Sequence, residues 1–366
     1  MKVGIITYHN PNNYGALCQA VASRVVFSQF GTASIIDYQN DFISGELKVV
    51  RFKPTIAGAF RAIKDLLRYS HKRVAINSFE KFLRDHGNLT KPANDQVELK
   101  RVSHDFDVLV SGSDQVWNPH CANADGSIDE NYFLEFSHAG QKCISYGSSF
   151  GAHQFSPAEA ERVKKYLKKF TALSVREKEG AQYLENLLKR KVECVLDPTL
   201  LLSEGDWSQY CKPIELPDKY VLVYIFNRTK LSKTVVERVR NATGLPVVVI
   251  DQELTAGFAC IKHIRSAGPG EFLHAFKNAS YVVTDSFHGC CFSVNFGKKF
   301  VAVSPGLKSN RIKSLFGILG CESRLVCSDE DAQKIRVEHE ISPVSDILRS
   351  ERERCMQYIS DAMKVA

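Results

Sequence analysis

In the stretch TDSFHGCCFS, residues 284 to 293, Asp285, Ser286 and His288 stand together just after the apolar run ASYVV. Tyr281 to Val283 read as a strand, and Phe292, Val294 and Phe296 as apolar positions of a helix that follows. Ligands of open α/β sheets sit outside the carboxyl ends of strands, and the N–H groups of a helix start attract anions. His288, with an imidazole that titrates near neutrality, could act there as a general acid or base. The plainer reading is a buried, hydrogen-bonded structural histidine. Cys290 and Cys291 could offer a thiol, or be small helix residues behind the site.

Other strands end in the same manner. NNYGAL, residues 12 to 17, lacks the GxGxxG of a dinucleotide fold and the GKS or GKT of a P-loop, but Gly15 can bring backbone N–H groups close to a ligand. Asn13, Tyr14 and Gln19 could add side-chain contacts; otherwise this is only an Asn/Gly turn joining strand to helix. SGSDQVWN places Asp114 and Trp117 after an apolar strand, either as a sugar-binding pair or as a helix cap and a core tryptophan. SYGSSFG adds Ser148. SVREKEG carries Arg176, whose planar fork of donors suits carboxylate and phosphate, or pairs with Glu177 or Glu179. GLKSNRIKSLFGILG adds Lys308, Arg311 and Lys313. Turned into one cleft, such residues suit a small anionic ligand and a polar, hydroxyl-rich partner.

These turns need a scaffold, and the apolar runs supply one. KVGIIT, the loop YHNPNNYG, the helical ALCQAVASRVVFSQFG and ASIIDY form a βαβ unit. FDVLVSGSD, CISYGSSFG, ALSVREKEG and VECVLDPTL repeat the strand-then-turn device. After the Pro-containing linker CKPIELPDK, the strands YVLVYIFN, LPVVVID, SYVVTD and KKFVAVSP are interleaved with the helical SKTVVERVRNAT and PGEFLHAFKNA. The expectation is an α/β protein of two Rossmann-like, doubly wound domains, 1–212 and 213–335, around a central cleft. A C-terminal helix, 336–366, is expected to pack back on the first domain.

At 366 residues, two domains are also what length suggests. No apolar run approaches the roughly 20 residues of a membrane span, and MKVGIITYHN turns polar too soon for a signal peptide, so a cytoplasmic location is expected. Eleven cysteines form no CxxC pair or Cys/His cluster of zinc spacing, so no metal is expected. A net charge of +7 does not by itself call for nucleic acid, and none is expected as a partner. The positive charge is concentrated. From Lys48 to Arg73 there are eight Lys or Arg residues against only Asp65, with Ile56, Phe60, Ile63 and Leu67 at helical spacing. Such a segment could lie on an anionic membrane face, with Arg61, Lys64 and Arg68 toward the lipid, or be a solvated helix whose apolar face packs on the domain.

The ordered set NPNNYGALCQA, SGSDQVWNP, SYGSSFG, SVREKEGA, LDPTLLL and TDSFHG resembles the polysaccharide pyruvyl transferase family, over about residues 4 to 320. The resemblance implies a GT-B-like arrangement of the two domains. It also implies transfer of pyruvate from phosphoenolpyruvate to two hydroxyls of a sugar, giving a cyclic ketal and phosphate. His288 matches the family's general acid and Arg176 the arginine placed on the donor. Asp285 would orient His288 or cap the helix, and Ser286 and Gly289 would offer donors to the anion. Some members have Arg and Leu just before this histidine, where this chain has Ser286 and Phe287; Arg311, or failing it Lys308, is expected to restore the charge. Asn13, Tyr14, Gly15, Gln19, Asp114, Trp117 and Ser148 are left for the acceptor. Arginines and amides can carry the donor's charge, so no metal or cofactor is implied. The implied acceptor is a hexose of a bacterial surface polysaccharide or its lipid-linked precursor, which the basic segment at 48–73 would fit at the inner membrane face. The competing readings are a sugar-nucleotide glycosyltransferase on the same architecture and a noncatalytic glycan-binding protein; the latter would be suggested by loss of His288 and Arg176, and both are present.

Overall fold

The computed structural model describes residues 1–10, 12–45, 56–304, 306–337 and 342–364. The chain divides into two compact units. Unit 1 comprises Met1–Leu47, Leu83–Leu201 and Ser350–Ala366, and unit 2 comprises Lys48–Phe82 and Leu202–Arg349.

In unit 1 the runs VGII and VLV, rich in β-branched residues, form the centre of a five-stranded parallel sheet. Its strands are β1 (Lys2–Ile6), β2 (Thr32–Ile35), β3 (Val108–Ser111), β4 (Lys142–Ser145) and β5 (Phe170–Ala172), in the order β2-β1-β3-β4-β5. A short parallel pair, β6 (Ser174–Val175) and β7 (Glu193–Cys194), follows. Every residue of β3 is buried, as in a sheet covered by helices on both faces. The helix Tyr14–Phe27 follows β1 and is buried along most of its length.

Unit 2 repeats the design with six parallel strands. These are β8 (Val221–Tyr224), β9 (Val247–Ile250), β10 (Lys262–Ile264), β11 (Tyr281–Thr284), β12 (Lys299–Val303) and β13 (Leu325–Val326), in the order β10-β9-β8-β11-β12-β13. β8, β9 and β11 are buried throughout, and each such Val or Ile contributes roughly 2 kcal/mol by leaving water. In both sheets the chain first moves to one side and then returns to the other. The reversal falls between β1 and β3 in unit 1 and between β8 and β11 in unit 2.

The unit boundaries differ from the expected 1–212 and 213–335. Residues 202–212 belong to unit 2 because Trp207 is fully buried edge-to-face on Phe292 at 5.3 Å and Asn295 donates to the Leu202 carbonyl. Residues 48–82 interrupt the expected first domain, and buried charge is the reason. Asp65 is wholly buried and binds Arg68 at 2.6 Å and Lys72 at 3.3 Å, while Arg68 also reaches Glu253 at 3.2 Å, just after β9. The C-terminal helix Ser342–Lys364 is shared. Its residues 342–349 belong to unit 2, and the remainder is held in unit 1 by bonds such as Tyr358 Oη to the Ser145 carbonyl and Arg354 to the Cys194 carbonyl.

Removing one partner from a buried ion cluster leaves uncompensated charge. Asp65→Asn is expected to cost about 3 kcal/mol in urea unfolding of unit 2. An unchanged midpoint would contradict the role given to Asp65.

Candidate functional site

The sheet reversal points are where open α/β sheets bind ligands, and each is flanked here by sequence motifs with polar residues. At the unit 1 reversal, the loop after β1 and the loop after β3 are tied directly together. Thr7 Oγ1 donates to the Ser113 carbonyl at 2.7 Å and Tyr8 Oη to the Gln115 carbonyl at 3.0 Å. Gly112 permits this approach, since a Cβ there would lie 2.8 Å from Thr7 Cβ.

Several expected ligand contacts are used up in building this end of the sheet. Asn13 caps the helix Tyr14–Phe27, its Oδ1 accepting from Gly15 and Ala16 N–H, so Gly15 N–H is also turned inward. Tyr14 is buried, and Gln19 is wholly buried with its amide nitrogen within reach of Thr7 Oγ1 and the carbonyls of Tyr8 and Ala16. Trp117 is a core residue, stacked on Phe133 at 5.2 Å with its indole N–H donated to the Tyr132 carbonyl. Ser148 is likewise buried, with Oγ near the carbonyls of Ser111 and Gly112. A Rossmann-like turn needs these bonds because its buried backbone groups lack regular ladder partners.

Asp114 and Arg176 are different. Arg176 donates from Nη1 to Asp197 Oδ2 at 2.6 Å and from Nη2 to Asp114 Oδ1 at 3.0 Å. Burial alone would push its guanidinium down, but the Asp114 and Asp197 carboxylates outweigh burial and hold it above its ordinary value. Asp197 also accepts from Ser113 Oγ, Thr199 N–H and Thr199 Oγ1. Ser149 Oγ donates to Glu177 at 2.6 Å. The SGSD, SVRE and LDPT motifs thus form one network, with Asp197 as a partner that the sequence offered only as part of LDPT. The fork of Arg176 reaches the carboxylates of Asp197 and Asp114, and Glu177 adds to the negative charge around it. Asp114 sits in the left-handed region at φ 74°, a conformation uncommon for a non-glycine residue and concentrated at functional turns. Its side chain is 12% exposed against none for Asp197, so the Asp114 edge of the fork is the one nearer solvent. Beside this network His9, also unanticipated, holds Asp37 at 2.9 Å after β1.

At the unit 2 reversal, Asp285 orients neither His288 nor the helix start. Its two oxygens accept from the N–H groups of Phe226 and Asn227, both at 2.8 Å, and from the Asn227 amide at 3.1 Å. Burial pushes this carboxyl up, against those donors. It laces the loop after β8 to the turn after β11. Ser286 is the cap of the helix Phe287–Asn295, its Oγ accepting from Gly289 N–H at 3.3 Å. A Cβ on Gly289 would collide with Thr284 Oγ1, so this residue lets the helix start lie on the strand end. His288 therefore occupies the second position of the helix, 7% exposed, with its ring 5.3 Å from that of Phe287. Arg311, in the helix Asn310–Leu319, places its guanidinium 5.5 Å from the Phe287 ring. The side chain of Lys308 lies outside the described residues. Cys290 and Cys291 are wholly buried, and burial pushes the Cys290 thiol well up, which leaves it inert. Among the described residues no three His, Cys, Asp or Glu side chains are grouped to hold a metal.

A family model described as polysaccharide pyruvyl transferase matches residues 23–306. The chain belongs to that family. No curated protein matches it significantly. Among solved structures it is similar to a UDP-glucosyltransferase from Polygonum tinctorium, at 8% identity and TM-score 0.50 over 100% of this chain and 99% of that one. It is similar also to a protein assigned as a UDP-N-acetylglucosamine 2-epimerase from Listeria monocytogenes, at 11% identity and TM-score 0.50 over 97% and 90%. The fold is thus the GT-B fold of glycosyltransferases and related epimerases, on which a pyruvyl transferase family is built. Likeness at this identity concerns the fold; the family assignment rests on the sequence match.

Arg176→Leu would leave Asp114 and Asp197 without a counter-charge and is expected to destabilise unit 1 by about 3 to 5 kcal/mol in chemical denaturation. A loss under about 1 kcal/mol, the range of an exposed pair, would contradict the keystone role.

Proposed function

We propose that this member of the pyruvyl transferase family moves pyruvate from phosphoenolpyruvate onto two hydroxyls of a saccharide as a cyclic ketal. The observation that carries the reading is His288 near the start of a helix at the β11 carboxyl end, with Arg311 on the adjoining Phe287 ring. The enol carbon of the donor must gain a proton before its neighbour can be attacked, and His288 is assigned that step. One acceptor hydroxyl then forms a bond to the central carbon, the carbon–oxygen bond to phosphate breaks, and the second hydroxyl closes the ketal. Of the two hydroxyl protons, one is balanced by the new methyl hydrogen and one leaves on phosphate.

The donor carries a carboxylate and a phosphate. We assign their charge to Arg311 and to the N–H groups at the start of the 287–295 helix with the Ser286 hydroxyl, without a metal. Arg176 would meet an anionic group of a substrate by exchanging Asp114, the longer and more exposed of its two partners, while Asp197 keeps it in place. Asp114, once released, would accept from an acceptor hydroxyl. The family description supports a polysaccharide acceptor, which we place in bacterial surface polysaccharide synthesis in the cytoplasm. The glycosyltransferase alternative has only the shared fold behind it.

Calorimetry with phosphoenolpyruvate tests these assignments. His288→Ala should keep donor binding but lose turnover by roughly 10²- to 10⁴-fold. Arg311→Ala should weaken binding by about tenfold, the worth of a charge-assisted bond. Activity should survive EDTA. Binding of a sugar nucleotide but not of phosphoenolpyruvate would overturn the proposal, and unchanged donor affinity in Arg311→Ala would remove that residue from it.

A further inference from the structure

Between the helix Ile56–Leu67 and the start of the helix Tyr69–His86, Arg68 and Lys72 turn inward and Lys64 pairs at the surface. Lys64 binds Glu253 at 2.6 Å, and Arg68 and Lys72 close on the buried Asp65. Arg68 also donates to the Gln252 carbonyl at 3.1 Å. All of these groups belong to unit 2. Of the three cations expected to meet lipid, Arg68 is therefore buried within the protein, and Lys64 is paired with Glu253 at its surface.

Apolar side chains also face water. Ile63, Leu66 and Leu67 are 57%, 64% and 66% exposed, and their spacing puts them on one face of the helix. Tyr69 and Val74 follow at 40% and 54%. Among the described residues twelve large hydrophobic side chains are this exposed, and five of the twelve fall between residues 63 and 74. Single exposed apolar residues are ordinary on a protein surface, whereas a cluster marks a contact site.

Charge decides what the contact is. By sequence the segment from Lys48 to Arg73 carries eight cations against one acid; of these Arg73 is exposed, and Lys64 stands at the surface paired with Glu253. The segment's one acid, Asp65, is already neutralised inside. A second copy of the chain would bring like charges together, which opposes self-association. An anionic lipid surface matches both the apolar ridge and the net positive charge of the segment.

We propose that residues 63–74 form an interfacial ridge that inserts Ile63, Leu66 and Leu67 into an anionic lipid surface, with Arg73 at the headgroups. This requires nothing of the donor chemistry, because vesicle binding is read without turnover. The test is co-sedimentation of the full chain with phosphatidylcholine vesicles and with phosphatidylcholine–phosphatidylglycerol vesicles. Wild type should bind the mixed vesicles and hardly bind phosphatidylcholine alone. Ile63→Ser/Leu66→Ser/Leu67→Ser should bind the mixed vesicles about a hundredfold more weakly, with an unchanged thermal midpoint because the three side chains are exposed. Arg73→Glu should lose affinity in a manner that vanishes at high salt. Equal binding by wild type and the triple serine variant would overturn the proposal, as would wild type that binds neither vesicle. It would also be overturned if wild type self-associates in sedimentation and the triple serine variant does not, since the ridge would then belong to a second copy.

Discussion

Arg176 has almost no access to water, and it reaches Asp197 at 2.6 Å and Asp114 at 3.0 Å. A guanidinium in that position must be paired, and pairing it fixes the turns that follow β3 and β6 and the stretch around Asp197, after β7. Ser113, Thr199 and the backbone of residue 199 are drawn to Asp197 by the same carboxylate. Much of the polar end of unit 1 thus depends on one cation. Its planar fork explains why arginine and not lysine stands there: two acceptors in different directions need two separate N–H edges.

Unit 2 meets the same topological problem with a carboxylate. Two adjacent strands, β8 and β11, lead to loops that must be held side by side at the sheet reversal, and Asp285 spans them by accepting two consecutive backbone N–H groups. The β8 loop is held by Asp285 and the helix start is capped by Ser286, and these bonds set the position of the turn that carries His288. Thr284 and Gly289 complete the arrangement, Thr284 Oγ1 donating to the Tyr224 carbonyl while Gly289 leaves room for it. In both units the residue that a sequence reading places at the chemistry is partly or wholly an architectural one.

The strand cores were legible because runs such as VLVY, VVVI and YVVT have few other places to go in a folded chain. Short edge strands were not. β10 is the three residues Lys-His-Ile, and β13 is two residues, too little for an apolar pattern to rise above its surroundings. Polar strand ends could be located from sequence, but their direction could not. Asn13, Gln19, Trp117 and Ser148 have the residue types of ligand contacts and satisfy neighbouring backbone instead, which is a matter of tertiary distance. The Arg176 partners lie 62 and 21 residues away, beyond any local pairing rule. The basic segment was ambiguous for a related reason: spacing reveals an amphipathic helix, but which face turns inward depends on Asp65, which holds Arg68 and Lys72 inside, while Lys64 pairs with Glu253 at the surface.

The central claim, a proton delivered to the donor followed by ketal closure, is tested most directly by running the reaction in deuterium oxide with phosphoenolpyruvate labelled with carbon-13 at its central carbon, and following that carbon by NMR. The account predicts a quaternary ketal carbon attached to the saccharide, a methyl group carrying one deuterium, and release of phosphate in equal amount. A label that stays in an enol ether on the saccharide, or a transferred sugar with the donor untouched, would contradict it.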